Sequence, residues 1–147
     1  MKHFLRLIGL AICLFPISLL GQNPGDLAFV GFDADGNDNF AIVTFVELPA
    51  NTTYYFADKS WSGTAFATNE GTLIWNTGSS PIPAGAVIAF YNTSNPATTS
   101  VTRGTVTSPD LALSASNEGI FLFIGTDSIS PTKFLAAVGN ASVASAF

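Results

Sequence analysis

DLAFVGFDADGNDNFAIVTFVEL, residues 26–48, sets two apolar runs on either side of a polar loop. The first run, Leu27 to Phe32, reads as a strand. The second, Phe40 to Leu48, alternates cleanly. Phe40, Ile42, Thr44, Val46 and Leu48 share one face, and Ala41, Val43, Phe45 and Glu47 share the other. Side chains of a strand point alternately to its two faces, and here both faces are largely apolar. That pattern predicts a central strand covered on both sides. The loop Asp33–Asn39 is made of Asp, Ala, Gly and Asn. Asp, Gly and Asn tolerate turn backbone, so the whole stretch predicts an antiparallel hairpin.

Further along the chain the same grammar repeats. Pro49-Ala50-Asn51 turns into a strand at Thr53–Ala57. A long loop, Asp58 to Asn69, carries Trp61. Strands follow at Gly71–Asn76 and at Ala86–Tyr91, the latter again apolar on both faces. Val101–Thr107 reads as a weaker edge strand, and Leu111–Leu113 as a short return. Ile120–Ile124 is the strongest late strand, Gly125–Thr132 a loop, and Phe134–Val138 the last strand. No window past residue 21 shows an amphipathic helical stripe with caps. Short β-branched or aromatic runs separated by Gly, Pro, Asn and Ser clusters are the pattern of a sandwich or barrel.

The N-terminus has a different character. Lys2, His3 and Arg6 precede the apolar run Leu7–Leu20, which ends at Gly21. A basic start, an apolar stretch of that length and a small residue at its end predict a secretory signal peptide over residues 1–21. The run of 14 residues contains Pro16 and is shorter than the ~20 residues of a bilayer span. Cleavage after Gly21 would remove His3 and Cys13, the chain's His and Cys. It would leave three basic residues, Lys59, Arg103 and Lys133, against ten carboxylates, a formal charge of −7. Phosphate neutralisation needs clustered Lys and Arg, so nucleic acid is not an expected partner, nor is an anionic membrane. Without Cys or His there is no disulfide, thiolate nucleophile, Ser-His pairing or imidazole metal ligand. Carboxylates, hydroxyls and hard-cation binding by oxygen remain. The mature segment 22–147 fits one domain. It is long enough to bury roughly two thirds of its unfolded surface without staples. Its last residues, Ala141 to Phe147, are apolar and lack a polar tail, which suggests a truncated chain or a domain cut from a longer protein.

GDLAFVGFDADGNDNFAIVTFVELPANTTYYFADKSWSG, together with EGTLIWNTGSSPIPAGAVIAFYN, resembles an uncharacterised N-terminal domain of secreted bacterial proteins of the Bacteroidota type. The order of strands, Trp loop and Pro-Ala-Gly turn is also similar to lamin-tail-like sandwiches. The resemblance covers about Gly25 to Asn140 and carries no catalytic residues with it. The expectation is an all-β, antiparallel β-sandwich of about eight strands, immunoglobulin-like or lamin-tail-like.

Three groups of residues are candidates for function. Asp33, Asp35, Asn37 and Asp38 space their oxygens as in calcium loops of the D-x-[DN]-x-[DN]-G type. The residue after Asn37 is Asp38 rather than Gly, and the twelfth position is Thr44 rather than Glu. An EF-hand is thereby excluded. A looser calcium site and a plain Asx-rich turn both fit. Trp61, with Asp58 and Glu70 nearby, would suit a ligand site in which the indole stacks on a sugar. The competing reading is a loop Trp that folds back to plug the open end of the sandwich. Trp75, alternating with Leu73, belongs to the core, and of Tyr54, Tyr55 and Tyr91 at least one should face solvent. Glu47, Glu70, Glu118 and the neighbouring aspartates could supply a carboxylate pair of the glycosidase kind. The leading expectation is a secreted or cell-surface, non-catalytic interaction or accessory module. Its partner would be protein or glycan, and it would need no cofactor unless calcium steadies it. The alternatives are an N-terminal accessory domain of a larger extracellular hydrolase, or a small carboxylate-dependent glycan hydrolase.

Overall fold

The computed structural model describes residues 21–68 and 70–140. The segment read as a signal peptide, up to residue 20, and the apolar end 141–147 lie outside the described residues. Nine strands run in chain order: β1 Leu27–Asp33, β2 Asn39–Thr44, β3 Thr53–Ala57, β4 Thr72–Asn76, β5 Val87–Tyr91, β6 Ser100–Val101, β7 Thr105–Thr107, β8 Gly119–Asp127 and β9 Ser130–Gly139. They form two antiparallel sheets. Sheet one has the order β1-β2-β5-β6 and sheet two the order β7-β4-β3-β8-β9. The expected all-β sandwich is what the chain adopts, and the opening hairpin is its first element, although its second strand ends at Thr44 rather than Leu48 and the chain bends at residues 45–46. Phe32 pairs with Phe40 and Leu27 with Thr44, with a register shift between Phe29 and Gly31.

The core lies between the sheets. Sheet one contributes Leu27, Phe40, Ile42, Ile88 and Phe90, and sheet two contributes Tyr54, Phe56, Leu73, Trp75, Ile120 and Leu122, all buried. Aromatic rings form its centre. Phe40 stacks on Phe90 at 4.5 Å between centroids, and Phe56 meets both at 4.9 and 5.0 Å. Trp75 sits edge-on to Phe90 and donates its Nε1–H to the carbonyl of Arg103 at 2.8 Å. Each such side chain contributes about 1.5–3 kcal/mol by leaving water. The placement of Trp75 in the core agrees with its alternation with Leu73.

Four sequence expectations are corrected. Val101–Thr107 is not one strand: β6 pairs with β5 in sheet one, and β7 pairs with β4 in sheet two. Thr102-Arg103-Gly104 carries the chain from one sheet to the other. Gly104 has φ +78°, and a Cβ there would meet the carbonyl oxygen of Asn76 at 2.1 Å. Only glycine fits that crossing, and the apolar alternation hid the break. The second correction is at Gly125–Thr132, expected as a loop. There β8 and β9 continue as a long hairpin through Ser128-Ile129. The third is at Leu111–Leu113, where Leu111 and Leu113 are buried and Ala112 exposed, but the segment is not a strand. The fourth concerns cover. Phe40–Leu48 reads as covered on both faces, yet among the described residues only the inner face of β2 is buried, while Ala41 and Val43 on its outer face are half-buried. Val87 is 54 % exposed and Phe45 60 %.

Candidate functional site

The carboxylates gather at one end of the sandwich. Asp58 follows β3, Glu70 leads into β4, Asp110 follows β7, and Glu118 precedes β8. All four line a cleft of about 490 Å³ with Thr68, Gly71 and Ser114. Backbone proximity builds it. The amide of Asp58 donates to Gly71 O at 3.2 Å, and that of Asp110 donates to Thr72 O at 3.1 Å. A Cβ on Gly71 would fall 1.4 Å from the carbonyl oxygen of Asp110, so the two segments can lie this close only because residue 71 is glycine.

Within the cleft Asp58 and Glu118 act as a pair. Asp58 is buried, at 4 % exposure. Burial first, then its hydrogen bond to Glu118 and the negative charges of Glu118 and Glu70, push its carboxyl up to about 9; the Lys59 ammonium works the other way. Burial alone would raise Glu118 too. The hydrogen bond from Asp58 outweighs it, together with the amides of Ser114 and Gly119, both at 3.0 Å, and Glu118 stays below the usual carboxylate range. At neutral pH the pair is one carboxylic acid donating to one carboxylate. Asn140 secures the turn beneath it. Its Oδ1 accepts from Glu118 N at 2.8 Å, and its Nδ2 donates to Ser114 O at 3.1 Å. Lys59, also buried, donates its ammonium to the carbonyl of Glu70. Glycosidase pairs stand about 5–9.5 Å apart to admit the sugar and a water. Two carboxyl groups in direct hydrogen-bond contact leave no such room between them. The pair ties the end of β3 to the turn before β8.

The residues singled out from sequence therefore part company. Asp58 and Glu70 share the cleft, where Ser60 N donates to Glu70 Oε2 at 2.9 Å. Trp61 does not line it. The segment Ser60–Ala67 folds back as a small flap, closed by Ser62 N to Ala65 O and Ala67 N to Ser60 O, both 3.0 Å. Trp61 and Phe66 pack at 4.9 Å, and Trp61 lies 5.0 Å from Phe134. Beneath them lie Phe121, Phe123 and Tyr55. Trp61 thus covers the outer face of sheet two rather than plugging the open end of the sandwich.

The loop of Asp33, Asp35, Asn37 and Asp38 joins β1 to β2. Asp33 Oδ1 accepts from the amide of Asp35 at 3.2 Å, and Oδ2 accepts from Asn39 Nδ2 at 3.1 Å. Asp38 is buried, and its carbonyl accepts from both the amide and the hydroxyl of Thr93. These are the bonds of an Asx turn anchored to a neighbouring loop. Among the described residues no group of three or more His, Cys, Asp or Glu is arranged to hold a metal ion.

The feature that the sequence reading missed is the outer face of sheet one. Register places Ala28 beside Val43 and Val43 beside Val87, then Gly31 beside Ala41 and Ala41 beside Ala89. Val30, Phe45, Val87 and Tyr91 stand exposed around these small residues. Between them lies a nearly apolar groove of about 190 Å³, floored by Gly31, Ala41 and Ala89 and bounded by Tyr91, Asn39 and Asp33. Its signal in the sequence is the two-faced apolar character of residues 40–48 and 86–91, which does not say whether the chain itself or a partner covers the second face. No family model, curated protein or solved structure matches the chain.

Proposed function

We propose that the chain is an exported, non-catalytic interaction module that docks an apolar protein surface on the outer face of sheet one. One observation carries the reading. Both sheets have apolar outer faces, and the chain covers that of sheet two with its own Trp61 and Phe66. It leaves that of sheet one open among the described residues, with Val30, Phe45, Val87 and Tyr91 in water. Exposed contiguous apolar patches on soluble proteins mark contact sites. The basic and apolar N-terminus supports export, and the resemblance to secreted bacterial domains points the same way. The carboxylate pair is a weaker lead, since Asp58 and Glu118 bond to each other and to backbone amides.

The test compares the wild-type chain with Val87→Lys as bait for extracellular protein, followed by identification of what is retained. The expected outcome is a protein held by the wild type and released by the variant, with unchanged circular dichroism. Turnover of any substrate, abolished by a single carboxylate substitution, would defeat the non-catalytic part of the reading.

A further inference from the structure

We infer that the partner on the outer face of sheet one is a second copy of the same chain, packed face to face about a two-fold axis. The inference rests on the docking role of that face and adds its occupant. The face carries a knob and a hole on one strand. Phe45, 60 % exposed, immediately follows β2, and Ala41, on the groove floor, lies four residues before it. Both point outward, since Ile42 and Thr44 between them are buried. Four residues of extended chain span ~13 Å.

Consider a two-fold axis in the plane between the copies, perpendicular to β2 and level with Val43. It sets Phe45 of each copy over Ala41 of the other. The groove of about 190 Å³ has room for one aromatic side chain, and its walls are almost wholly apolar. A two-fold contact must be self-complementary, and this face is. The small residues Gly31, Ala41 and Ala89 let a neighbour approach closely where larger side chains would hold it off. The two sheets would then meet as aligned sheets do inside a sandwich, at a spacing of ~10 Å.

Charge does not oppose this partner at the centre of the face. The chain has a formal net charge of −5, yet the centre of the face, Ala28, Val30, Gly31, Ala41, Val43, Val87 and Ala89, carries none. It offers no cation to an acidic partner and no anion to a basic one. Two acidic copies can meet there because the carboxylates keep to the ends of the face, Glu47 beyond β2 and Asp33 at the end of the groove, where Asn39 Nδ2 donates to it. The four exposed side chains Val30, Phe45, Val87 and Tyr91 present on the order of 400 Å² per copy, hence ~800 Å² for the pair, the low end for a reversible contact.

The test is sedimentation equilibrium of the purified chain from about 5 to 500 µM. A reversible monomer–dimer equilibrium is expected within that range, the contact being at the low end of interface sizes. Phe45→Glu and Ala41→Arg should each weaken it at least tenfold. An equimolar mixture of the two variants should restore dimers, because the axis sets the introduced carboxylate of one copy against the introduced guanidinium of the other while the second contact stays native. Should Ala41→Arg fail to fold, Ala89→Arg in the same row replaces it. A wild type that stays monomeric throughout, or a dimer that Phe45→Glu leaves intact, overturns the inference. In the first case, a captured protein still lost with Val87→Lys leaves the docking module standing with another partner. If Val87→Lys releases nothing, both readings fall.

Discussion

Two buried polar side chains set the stability of this fold against its solvent conditions. The hydroxyl of Tyr54 is buried and has no hydrogen-bond partner among the described residues. Burial first, then the charge of Asp26, holds its phenol above the ordinary range. An unsatisfied buried hydroxyl costs about 1–3 kcal/mol. Tyr54→Phe keeps the ring, with its 5.3 Å contact to Trp75, and removes the hydroxyl. The melting temperature should rise by ~3–5 °C for about 1 kcal/mol in a domain of this size. A fall would mean that the hydroxyl is satisfied in solution. Asp58 and Glu118 predict a pH dependence. In the unfolded chain both carboxyls lose their protons near pH 4. In the fold Asp58 keeps its proton up to about 9. From about pH 4 to 9 the folded state therefore binds one proton more than the unfolded, and stability falls as pH rises. Below that window the sign reverses, because Glu118 stays charged where the unfolded chain would protonate. The pair therefore stabilises most near pH 4–5. Asp58→Asn supplies an amide donor to Glu118 with no proton to lose. Calorimetry at about pH 5, 7 and 9 should show a slope in the wild type that is absent in the variant. A slope of the same size in both would place its origin elsewhere.

At the scale of elements, the flap Ser60–Ala67 divides a closed face from an open one. Trp61 touches Phe66 and Phe134 edge-on. Such aromatic pairs are worth about 0.5–1.5 kcal/mol each beyond their burial. Trp61→Ala should cost about 2–3 kcal/mol and loosen the flap. The amides of Ser62 and Ala67, bonded within the flap, should then exchange with deuterium much faster than in the wild type. Unchanged protection would mean that Phe66 alone holds the flap down. The same elements show how far sequence reaches. The opening hairpin, the aromatic core and strands β3 to β5 were legible because alternation and turn chemistry agree there. The split at Thr102–Gly104 was not, because alternation says nothing about which sheet a strand joins. Asp58 and Glu70 were legible as neighbours of the Trp loop. Their union with Glu118 was not, since it depends on backbone contacts between segments up to 60 residues apart. Two-faced apolar strands announce a second cover without saying whether the chain or a partner supplies it. Trp61 and Phe66 supply it for sheet two.

At the scale of the whole molecule, an acidic chain that associates through an uncharged face should respond to salt in the opposite sense from most charged interfaces. Pairing of opposite charges weakens as salt is added, whereas repulsion between like charges weakens and lets association tighten. The proposed two-fold axis at Val43 turns the end of the face that carries Glu47 in one copy toward the Asp33–Asn39 end of the other, where Asp33 pairs with Asn39. The rim therefore opposes the dimer while its apolar centre drives it. At ~0.1 M salt the Debye length is ~10 Å, comparable with the sheet spacing, so this opposition is adjustable. Raising sodium chloride from about 20 to 300 mM should tighten the dimer several-fold. Glu47→Gln should tighten it at low salt by a similar factor, and the wild type and variant should converge as salt rises. Sedimentation equilibrium across that series reads both effects. Dissociation by salt would mean that opposite charges hold the copies together, which the outer face of sheet one cannot supply, and the contact would have to lie on another surface.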